Sequence, residues 1–442
     1  MLSATENELL TRTGAGTPMG NLFRRYWLPV LLSSQLPEPD CPPVRVKILG
    51  EELLAVRDSA GRIGLIEPVC PHRGASLFFG RNEAGGIRCA YHGWKFAING
   101  ECLDAPTIDL EQMTQVCERA RIKAYPACDW GDFVWVYMGP RTTPPPLPEM
   151  EFAKLPASHR YVSKKLQECN WAQAVEGGVD TAHFSFLHQL VTQSSDDLKE
   201  KTNRAFQGYA RGTMNHDHVR WMRDDSRPRY HVAAHDAGLI LAGTRRAEPG
   251  ETYWRVAQFL LPAHAYTPSA AAGQSYHGQT FIPIDDHSCW VYVYTWNPAQ
   301  PLTREDRASY DKGAVIYPEM DSNWVPRRNR SNDYLIDRDL QKRESFTGIT
   351  GVSEQDQAIQ DSQGFIADRT REMLGPTDVG VVRFRRLMLD QARAVQSGVE
   401  PVSVDNPAAY YVRAGAIVTD EHASFEEVME RRFGHALGKI ER

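Results

Sequence analysis

The sequence lacks the features that would hold the protein in a membrane or direct it out of the cell. It contains no uninterrupted run of about eighteen apolar residues, the length that a transmembrane helix needs. The opening residues, MLSATENELL, do not combine a basic segment with an apolar core as a secretory signal peptide does. We therefore expect a cytoplasmic protein.

Excess positive charge and abundant cysteine are also missing. The 50 Lys and Arg residues are outnumbered by 56 Asp and Glu residues, so the formal net charge of −6 does not favour nucleic acid or anionic lipid as a partner. The 8 cysteines are spread over 442 residues, which favours free thiols or metal ligands over a disulfide framework. Gly14, Gly16 and Gly20 are too irregularly spaced for a dinucleotide fingerprint, and no convincing strand precedes them. No nicotinamide or flavin cofactor is expected in this chain.

The chain does contain enough apolar material for two or three packed units, since 42% of its residues are hydrophobic and 10% are aromatic. The runs Val44–Ile48 and Phe133–Tyr137 predict antiparallel strands. Four prolines between residues 144 and 148 can neither pair in a sheet nor continue a helix. We place a domain boundary there, which divides the chain into residues 1–150 and 151–442.

Beyond this boundary the hydrophobic pattern changes from strands to a mixture of helices and strands. It predicts helices at residues 170–188, 353–398 and 424–437, and strands at residues 253–261 and 290–296. The chain is therefore expected to form an all-β unit followed by an α+β unit.

Two short loops combine cysteine with histidine. They are CPHRG, which contains Cys70 and His72, and CAYHGW, which contains Cys89 and His92. Two thiolates and two imidazoles could hold one zinc ion, or a [2Fe–2S] cluster with the thiolates on one iron and the imidazoles on the other. Zinc sites usually present a pair of cysteines from one loop, whereas here each loop offers one ligand to each iron, which favours the cluster. The alternative without a metal, buried thiols beside loop histidines, requires this spacing to arise by accident.

A second group of potential ligands follows in the pattern D-x-x-H-x-x-x-x-H, formed by Asp180, His183 and His188. Asp180 and His183 would share a helix face, but His183 and His188 would diverge by about 140° on a straight helix, so the helix must distort or end there. Two imidazoles and one carboxylate on one side of a ferrous ion leave positions open for dioxygen. The alternative is a histidine pair that serves packing or meets solvent.

The two loops CPHRG and CAYHGWKF resemble those of Rieske iron–sulfur domains, and the D-x-x-H-x-x-x-x-H segment resembles the catalytic segment of Rieske non-haem iron oxygenases. The similarity extends from the opening GTPMGNLFRRYWLPV to the final helices and is greatest to the α-subunits of the phthalate dioxygenase and phenoxybenzoate dioxygenase group. It implies an N-terminal all-β Rieske [2Fe–2S] domain with an N-terminal extension in residues 1–150. It also implies a helix-grip (START-like) antiparallel-sheet catalytic domain with a mononuclear non-haem iron in residues 151–442.

The resemblance also implies roles for individual residues. The cluster ligands would be Cys70, His72, Cys89 and His92. His183 and His188 would bind Fe(II), and Asp180 would bridge His183 to His92 of a neighbouring subunit.

The third iron ligand must come from a distant segment. Asp356 matches an aspartate that the family places early in a late helix, and Asp361 is the rival. Alternatively, Asp356 only complements a helix N-terminus that Ser353 caps.

The implied function is that of the oxygenase component of a multicomponent enzyme. It would use dioxygen and electrons from a separate NAD(P)H-dependent reductase to hydroxylate an aromatic substrate, for which a carboxylated ring is expected. An O-demethylating monooxygenase of a methoxylated aromatic acid is the alternative, and an electron carrier without oxygenase activity is a more distant one. A homotrimer, single or stacked, is expected.

Two groups of basic residues are candidates for binding these partners. We expect reductase docking near Arg73, Arg81, Arg88 and Lys95. A guanidinium that binds the substrate carboxylate is expected among Arg220, Arg223, Arg227, Arg229, Arg245 and Arg246.

Overall fold

The structure is a computed structural model, and it describes residues 1–205, 216–268, 274–314 and 316–433. The helices are α1 (Ala4–Thr11), α2 (Pro18–Phe23), α3 (Leu110–Arg119), α4 (Glu151–Lys154), α5 (Trp171–Val179), α6 (Ser195–Ala205), α7 (His216–Asp224), α8 (Arg304–Asp311), α9 (Arg338–Arg343), α10 (Val352–Ser362), α11 (Val379–Gln396) and α12 (Phe425–Phe433). The strands are β1 (Trp27–Leu32), β2 (Val44–Ile48), β3 (Glu51–Arg57), β4 (Ile63–Ile66), β5 (Arg81–Glu83), β6 (Gly86–Arg88), β7 (Lys95–Phe96), β8 (Cys102–Asp104), β9 (Ala124–Trp130), β10 (Phe133–Tyr137), β11 (Arg160–Gln167), β12 (Arg229–His235), β13 (Gly238–Arg246), β14 (Glu251–Leu260), β15 (His264–Thr267), β16 (Tyr276–Pro283), β17 (Cys289–Trp296) and β18 (Gly415–Asp420).

The first part of the chain forms two small antiparallel sheets. Within the described ranges the larger one has six strands in the order β1-β10-β9-β4-β3-β2, and the smaller one has four in the order β5-β6-β7-β8. Strands β2 and β10 agree with the sequence prediction at both ends. All five residues of β10 are buried. Strands β1 and β9 pair with its two edges, and its Phe133 packs against the second half of the molecule.

The second part is built on one large antiparallel sheet with the order β11-β17-β16-β15-β14-β13-β12, in which β18 also pairs with β14, as far as the described residues extend. Helix α11 lies across it, and its Phe384 meets Phe259 of β14 with ring centroids 4.8 Å apart. This is the helix-grip arrangement that the resemblance implies. The strands predicted at 253–261 and 290–296 are confirmed as β14 and β17.

The helix predictions needed correction. The helix predicted at residues 170–188 ends at Val179 as α5. The helix predicted at 353–398 is divided into α10 and α11, because Gly364 takes a left-handed backbone with φ of +93° and Pro376 follows before the second helix. The last predicted helix is α12, and residues 434–437 of that prediction lie outside the described residues.

The two large sheets share an apolar core. Phe133 of β10 packs on Tyr292 and Tyr294 of β17, with ring centroids 5.4 and 6.1 Å apart. The N-terminal helices join the same core, since Phe23 of α2 meets Trp171 of α5 at 4.8 Å. The division at residue 150 stays a prediction.

None of the helices in the described parts of the chain has the length and apolar character that crossing a membrane requires. The cytoplasmic location stays a prediction.

Candidate metal centres

The two cysteine–histidine loops fold as the same turn. In the first, the Cys70 N–H donates to the Ala75 carbonyl at 2.8 Å and the Gly74 N–H donates to the Cys70 carbonyl at 2.9 Å. The second loop repeats both bonds around Cys89 and Gly93, at 2.8 and 3.0 Å. Gly74 and Gly93 have φ angles of +73° and +75°, which side chains other than glycine rarely adopt. The glycine four residues after each cysteine is therefore required by the turn that presents the cysteine and the histidine.

The cysteines and histidines of these loops face different surroundings. Cys70 and Cys89 are each 2% exposed, and burial raises the pKa of the Cys70 thiol to about 11. The rings of His72 and His92 are half-buried, with centroids 4.5 Å apart. His72 also stacks on Trp94 at 4.6 Å, with the ring planes 2° from parallel. The four side chains thus form a site with its thiols inward and its imidazoles toward the surface.

The spacing of these four side chains argues against a single zinc ion. Tetrahedral zinc with bonds of 2.0–2.3 Å would bring its donor atoms within about 4 Å of one another. No three of these four side chains have donor atoms that all lie within 4.8 Å of one another. Among the residues that the structure describes, that criterion is met by His183, His188 and Asp356. A two-iron cluster needs a wider set of donors, so the arrangement fits the cluster.

The second group of candidate ligands begins where α5 ends. Asn170 caps the helix by accepting from the Ala172 N–H at 3.1 Å. At the other end, the Asp180 carboxylate accepts from the backbone N–H groups of Ala182 and His183 at 2.7 and 3.3 Å. A side chain that bonds to the backbone two and three residues later ends a helix and starts a new turn. The helix therefore ends before both histidines, and the shared helix face expected for Asp180 and His183 is not formed.

The new turn brings both histidines to Asp356 of α10. The Nε2 atoms of His183 and His188 lie 3.5 and 3.2 Å from Asp356 Oδ1, and the two rings are 77° from parallel. Ligands at right angles to each other, each about 2.1 Å from a metal, would have their donor atoms about 3 Å apart, so the three side chains fit one ion. These three form the close set of donor atoms mentioned above. Asp361 is directed elsewhere and accepts a hydrogen bond from the Tyr334 hydroxyl.

Each imidazole has a different partner on its other nitrogen. His188 Nδ1 lies 2.7 Å from Gln355 Oε1, and Gln355 Nε2 donates to the Ile349 carbonyl at 2.8 Å. This orientation of the amide requires the proton on His188 Nδ1 and leaves Nε2 for a metal. His183 Nδ1 instead lies 3.4 Å from the Asp180 carboxylate.

Asp180 is held from a second direction by Tyr230, whose hydroxyl donates to its Oδ1 at 3.2 Å. Burial alone would raise the pKa of Asp180, but hydrogen bonds from His183, Ala182 and Tyr230 hold the pKa below its ordinary value. Burial lowers the pKa of His183, but the Asp180 carboxylate, together with that of Asp356, raises the pKa above its ordinary value. The pair therefore favours a charged carboxylate beside the imidazole.

A cavity lies directly beside the two histidines and Asp356. Its polar wall includes Arg255 of β14 and Lys165 of β11, and its apolar wall includes Phe184, Ala257 and Phe281. Arg255 is 6% exposed and its guanidinium lies 4.8 Å from the centre of the Phe184 ring. Lys165 bonds to the Ser353 hydroxyl. The site thus places a buried guanidinium and a buried amino group beside the two histidines and Asp356.

The arginines predicted for the substrate do not line this cavity. Arg220 pairs with Glu248, Arg223 with Asp224 and Arg246 with Asp225, while Arg227 and Arg229 are exposed. Arg245 is buried but donates to the Asp225 and Thr181 carbonyls at 3.1 and 2.7 Å.

Arg255 was missed because an isolated arginine in an apolar strand carries no motif. Arg255 lies two residues before Ala257 and therefore on the same face of β14. This alternation was the sequence feature that could have placed Arg255 in the cavity wall.

The predicted reductase-docking residues also need correction. Lys95 is 6% exposed and its amino group donates to the Ala84 carbonyl at 2.6 Å. Arg88 is held by Glu83 and Asp104 at 3.1 and 2.8 Å. Both positions hold the loops together, which leaves Arg73 and Arg81 as the exposed basic residues of that set.

Comparison with known proteins agrees with this architecture. Residues 26–125 match the Rieske [2Fe-2S] domain family, and residues 136–427 match the family described as LigXa C-terminal domain like. The 3-chlorobenzoate-3,4-dioxygenase oxygenase subunit of Comamonas testosteroni is 37% identical, over 98% of this chain and 99% of its own. The phthalate 4,5-dioxygenase oxygenase subunit of Pseudomonas putida is also 37% identical, over 92% of this chain and 90% of its own. The crystal structure of dicamba monooxygenase bound to dicamba shares the fold, with a TM-score of 0.57 and 14% identity over 85% of this chain and 99% of that one.

A Rieske domain joined to a helix-grip domain with a second metal centre defines the oxygenase subunits of Rieske non-haem iron oxygenases. This chain belongs to that family, and more particularly to its phthalate dioxygenase and phenoxybenzoate dioxygenase group. Its cofactors are a [2Fe–2S] cluster and a mononuclear iron, and it is one component of a multicomponent oxygenase.

Proposed function

We propose that the four side chains Cys70, His72, Cys89 and His92 hold the cluster, in a Rieske domain at residues 1–150. The proposal is supported by the matching turns of the two loops and by the inward thiols and outward imidazoles. His72 and His92 would hold the iron nearer the surface, and that side of the cluster would then be the one open to electron transfer. Imidazole ligation also raises the reduction potential above that of clusters bound only by thiolates.

The mononuclear iron is proposed to lie between His183, His188 and Asp356, in a catalytic domain at residues 151–442. The observation that carries this proposal is the convergence of these three side chains on one point of the cavity wall. The bound metals supply single-electron transfer and dioxygen activation. The protein's own residues orient the imidazoles, keep Nε2 of each free for the metal, and enclose the substrate between Phe184 and Phe281.

The substrate is proposed to be an aromatic ring that bears a carboxylate, which the enzyme hydroxylates. Arg255 supports this assignment because it is a buried guanidinium that faces the same cavity as the histidines. A guanidinium can hold a carboxylate through two parallel hydrogen bonds and so fix the position of the ring relative to the iron. The two relatives whose names include a benzoate and a phthalate act on substrates of this kind.

The substitution Arg255→Met tests the substrate proposal. We expect the KM for aromatic carboxylates to rise about 10- to 100-fold, since a hydrogen-bonded charge is lost, while the affinity for the corresponding neutral amides changes little. Arg220→Met is the matched control, because Arg220 pairs with Glu248 outside the cavity. An unchanged KM for the carboxylates in a variant that retains its iron would show that Arg255 does not bind the substrate.

Product analysis with labelled dioxygen separates the two reaction types that the sequence left open. A dihydrodiol or catechol with label on the ring supports aromatic hydroxylation, whereas release of formaldehyde from a methoxylated acid supports O-demethylation. Iron analysis distinguishes an oxygenase from an electron carrier, because the carrier would contain two iron atoms per chain and the oxygenase about three.

We further propose that the chain works as a homotrimer, single or stacked, that receives electrons from a separate NAD(P)H-dependent reductase. In this assembly Asp180 bridges His183 to His92 of the adjacent subunit. Two features support the bridge: the His72 and His92 rings lie near the surface, and the Asp180 side chain is 24% exposed although its charge is well stabilised. Arg73 and Arg81 are the exposed basic residues near the cluster that suit reductase docking.

A further inference from the structure

Two cysteines outside both metal centres lie in direct contact. Cys102 is on β8 and Cys117 is on α3, and their sulfur atoms are 2.8 Å apart. This separation is only about 0.8 Å longer than a disulfide bond, which measures about 2.05 Å. Small shifts of the two side chains would therefore be enough to join them.

The pair is accessible and its surroundings can move. Both cysteines are half-buried, and they line a surface cavity together with Leu103, Met113 and Arg121. Helix α3 has no fully buried residue, so few contacts oppose a small displacement of it. By contrast, Cys169 and Cys289 in the main core are each 0% exposed and out of reach of solutes.

The two sulfurs are chemically distinct. The Cys102 thiol donates to the Cys117 sulfur, and it also approaches the Asp104 carbonyl at 3.7 Å. Burial first, and then the adjacent Cys117, raise the pKa of Cys102 to about 12. Cys102 therefore keeps its proton, whereas Cys117, which accepts the hydrogen bond from Cys102, is the sulfur to which we assign the attack on an oxidant.

We propose that Cys102 and Cys117 form a redox-active dithiol that hydrogen peroxide oxidises reversibly to a disulfide. The Cys117 thiolate attacks one peroxide oxygen, the O–O bond breaks, and a sulfenic acid and hydroxide form. The Cys102 sulfur then attacks the sulfenic sulfur, the S–S bond forms, and the oxygen leaves as water after taking up the Cys102 proton. The hydroxide takes up the proton that Cys117 released on forming its thiolate, so two thiols and one peroxide give one disulfide and two waters. Peroxide is also what an oxygenase releases when electrons reach dioxygen without hydroxylation of a substrate.

The disulfide would stabilise the part of the molecule that supports the cluster. It would close the 15-residue separation between β8 and α3, which restricts the unfolded chain. The enclosed segment contains Thr107, whose hydroxyl accepts from the Trp94 indole at 3.2 Å, and Trp94 stacks on His72. We expect the oxidised protein to retain its cluster absorbance to a higher temperature than the reduced protein.

The experiment treats the loaded enzyme with hydrogen peroxide, blocks the remaining thiols by alkylation and maps the peptides by mass spectrometry. The expected product is a cross-link between Cys102 and Cys117, with the loss of two hydrogen atoms from the intact mass, which a dithiol reductant reverses. Cys128 of β9, also half-buried, is the internal control and should remain alkylated.

Serine variants assign the two roles. Cys102→Ser should leave a sulfenic acid on Cys117 that dimedone traps, Cys117→Ser should leave Cys102 unmodified, and Cys128→Ser should still form the cross-link. The proposal is overturned if the wild-type protein loses its cluster absorbance before the cross-link appears. Oxidation of Cys117 to sulfinic acid without a cross-link would overturn it as well, and so would oxidation of Cys128 at the same rate.

Discussion

The two histidines of the proposed iron site have partners of different charge. His183 faces the Asp180 carboxylate, whereas His188 faces the neutral amide of Gln355. A carboxylate partner makes an imidazole a stronger electron donor to a metal and couples its proton to the charge of that metal, whereas an amide fixes only its orientation. We therefore expect His183 to lie on the electron route and His188 to serve as an anchor for the iron.

The first prediction concerns the carboxylate. Asp180→Asn should retain both metal centres but slow electron transfer from cluster to iron by about 100-fold or more, because the amide cannot accept a proton from either imidazole. The measurement is single-turnover oxidation of the pre-reduced cluster in the presence of substrate and dioxygen. Asp224→Asn, at an exposed residue at the end of α7, is the control. Full-speed transfer in Asp180→Asn would refute the bridge.

The second prediction concerns the amide. Gln355→Leu should weaken iron binding about 10- to 100-fold, because His188 loses the partner that holds its ring, whereas Gln355→Glu retains an acceptor and should bind iron more tightly than the leucine variant. Competition with a ferrous chelator measures the affinity. Gln357→Leu is the control in the same helix, since Gln357 is also buried but donates to the Leu166 carbonyl. Equal losses in the Gln355→Leu and Gln357→Leu variants would mean that the helix, and not His188, is affected.

Helix α5 leads into the proposed iron site and is held in place by a buried ion network. Glu176 of this helix receives two hydrogen bonds from Arg369, at 2.9 and 3.0 Å, and one from Arg385 at 2.7 Å. Arg369 also donates to Asn7 of α1, and Arg385 to Glu372. One carboxylate thus joins the N-terminal helix, α5 and α11. The two adjacent glycines, Gly177 and Gly178, line the cavity, so the network also fixes its wall.

The third prediction follows from this network. Glu176→Gln should destabilise the protein by about 3–5 kcal/mol, because it leaves two buried guanidinium groups without a full counter-charge. Denaturant unfolding of the metal-loaded protein measures the loss. Glu372→Gln should cost less, since its side chain is 25% exposed and Arg385 would keep Glu176. A Glu176 variant as stable as the wild type would show that the network contributes nothing to stability.

The same variant has a defined pH dependence. Burial alone would raise the pKa of Glu176, but Arg369 and Arg385 hold it below its ordinary value of 4.5. A carboxylate whose folded pKa is lowered stabilises the protein above its unfolded pKa, and this contribution disappears as the pH falls through the folded pKa. The stability difference between wild type and Glu176→Gln should therefore be constant near neutral pH and shrink below about pH 4.5. Unfolding curves measured across the acid range check this behaviour.

The whole molecule is proposed to work only as an assembly. If each iron receives electrons from the cluster of a neighbouring subunit, two defective subunits can restore each other's function. In a head-to-tail ring each contact is formed by two different surfaces of the chain, so every subunit has one donor neighbour and one acceptor neighbour.

The fourth prediction is a complementation experiment. Co-expression of Cys70→Ser, without a cluster, and Asp356→Ala, without iron, should recover about one quarter of the wild-type activity per chain, because a random ring joins an intact cluster to an intact iron at one contact in four. Each variant alone should be inactive, and metal analysis should confirm that each retains its other centre. Activity that stays absent in trimers shown to contain both variants would indicate transfer within one subunit.

The form of the two cysteine–histidine loops could be predicted from the sequence because each is a local structure. The turns around Cys70 and Cys89 need only their own backbone bonds and a glycine four residues later, and the break after α5 needs only Asp180 and the next three residues. Neighbours in the chain are neighbours in space, so spacing alone carries that information. Asp356 was predicted from the family resemblance. The geometry of α10 favours Asp356 over Asp361, because Asp361 lies about 140° further around the helix and so faces another direction.

Contacts between distant segments could not be predicted in this way. Which arginine reaches the cavity depends on how β14, α5 and α10 come together around it, and the arginine that does so, Arg255, was not among those expected. Gln355 contacts His188, and Cys102 contacts Cys117, only because distant segments of the chain fold against each other. The sequence alone, through residue types and their spacing, determined which metals this chain is suited to bind. The packing of the sheet and helices decided which other side chains lie beside those sites. The physical reason is that the burial and the charge around a site depend on every element that surrounds it.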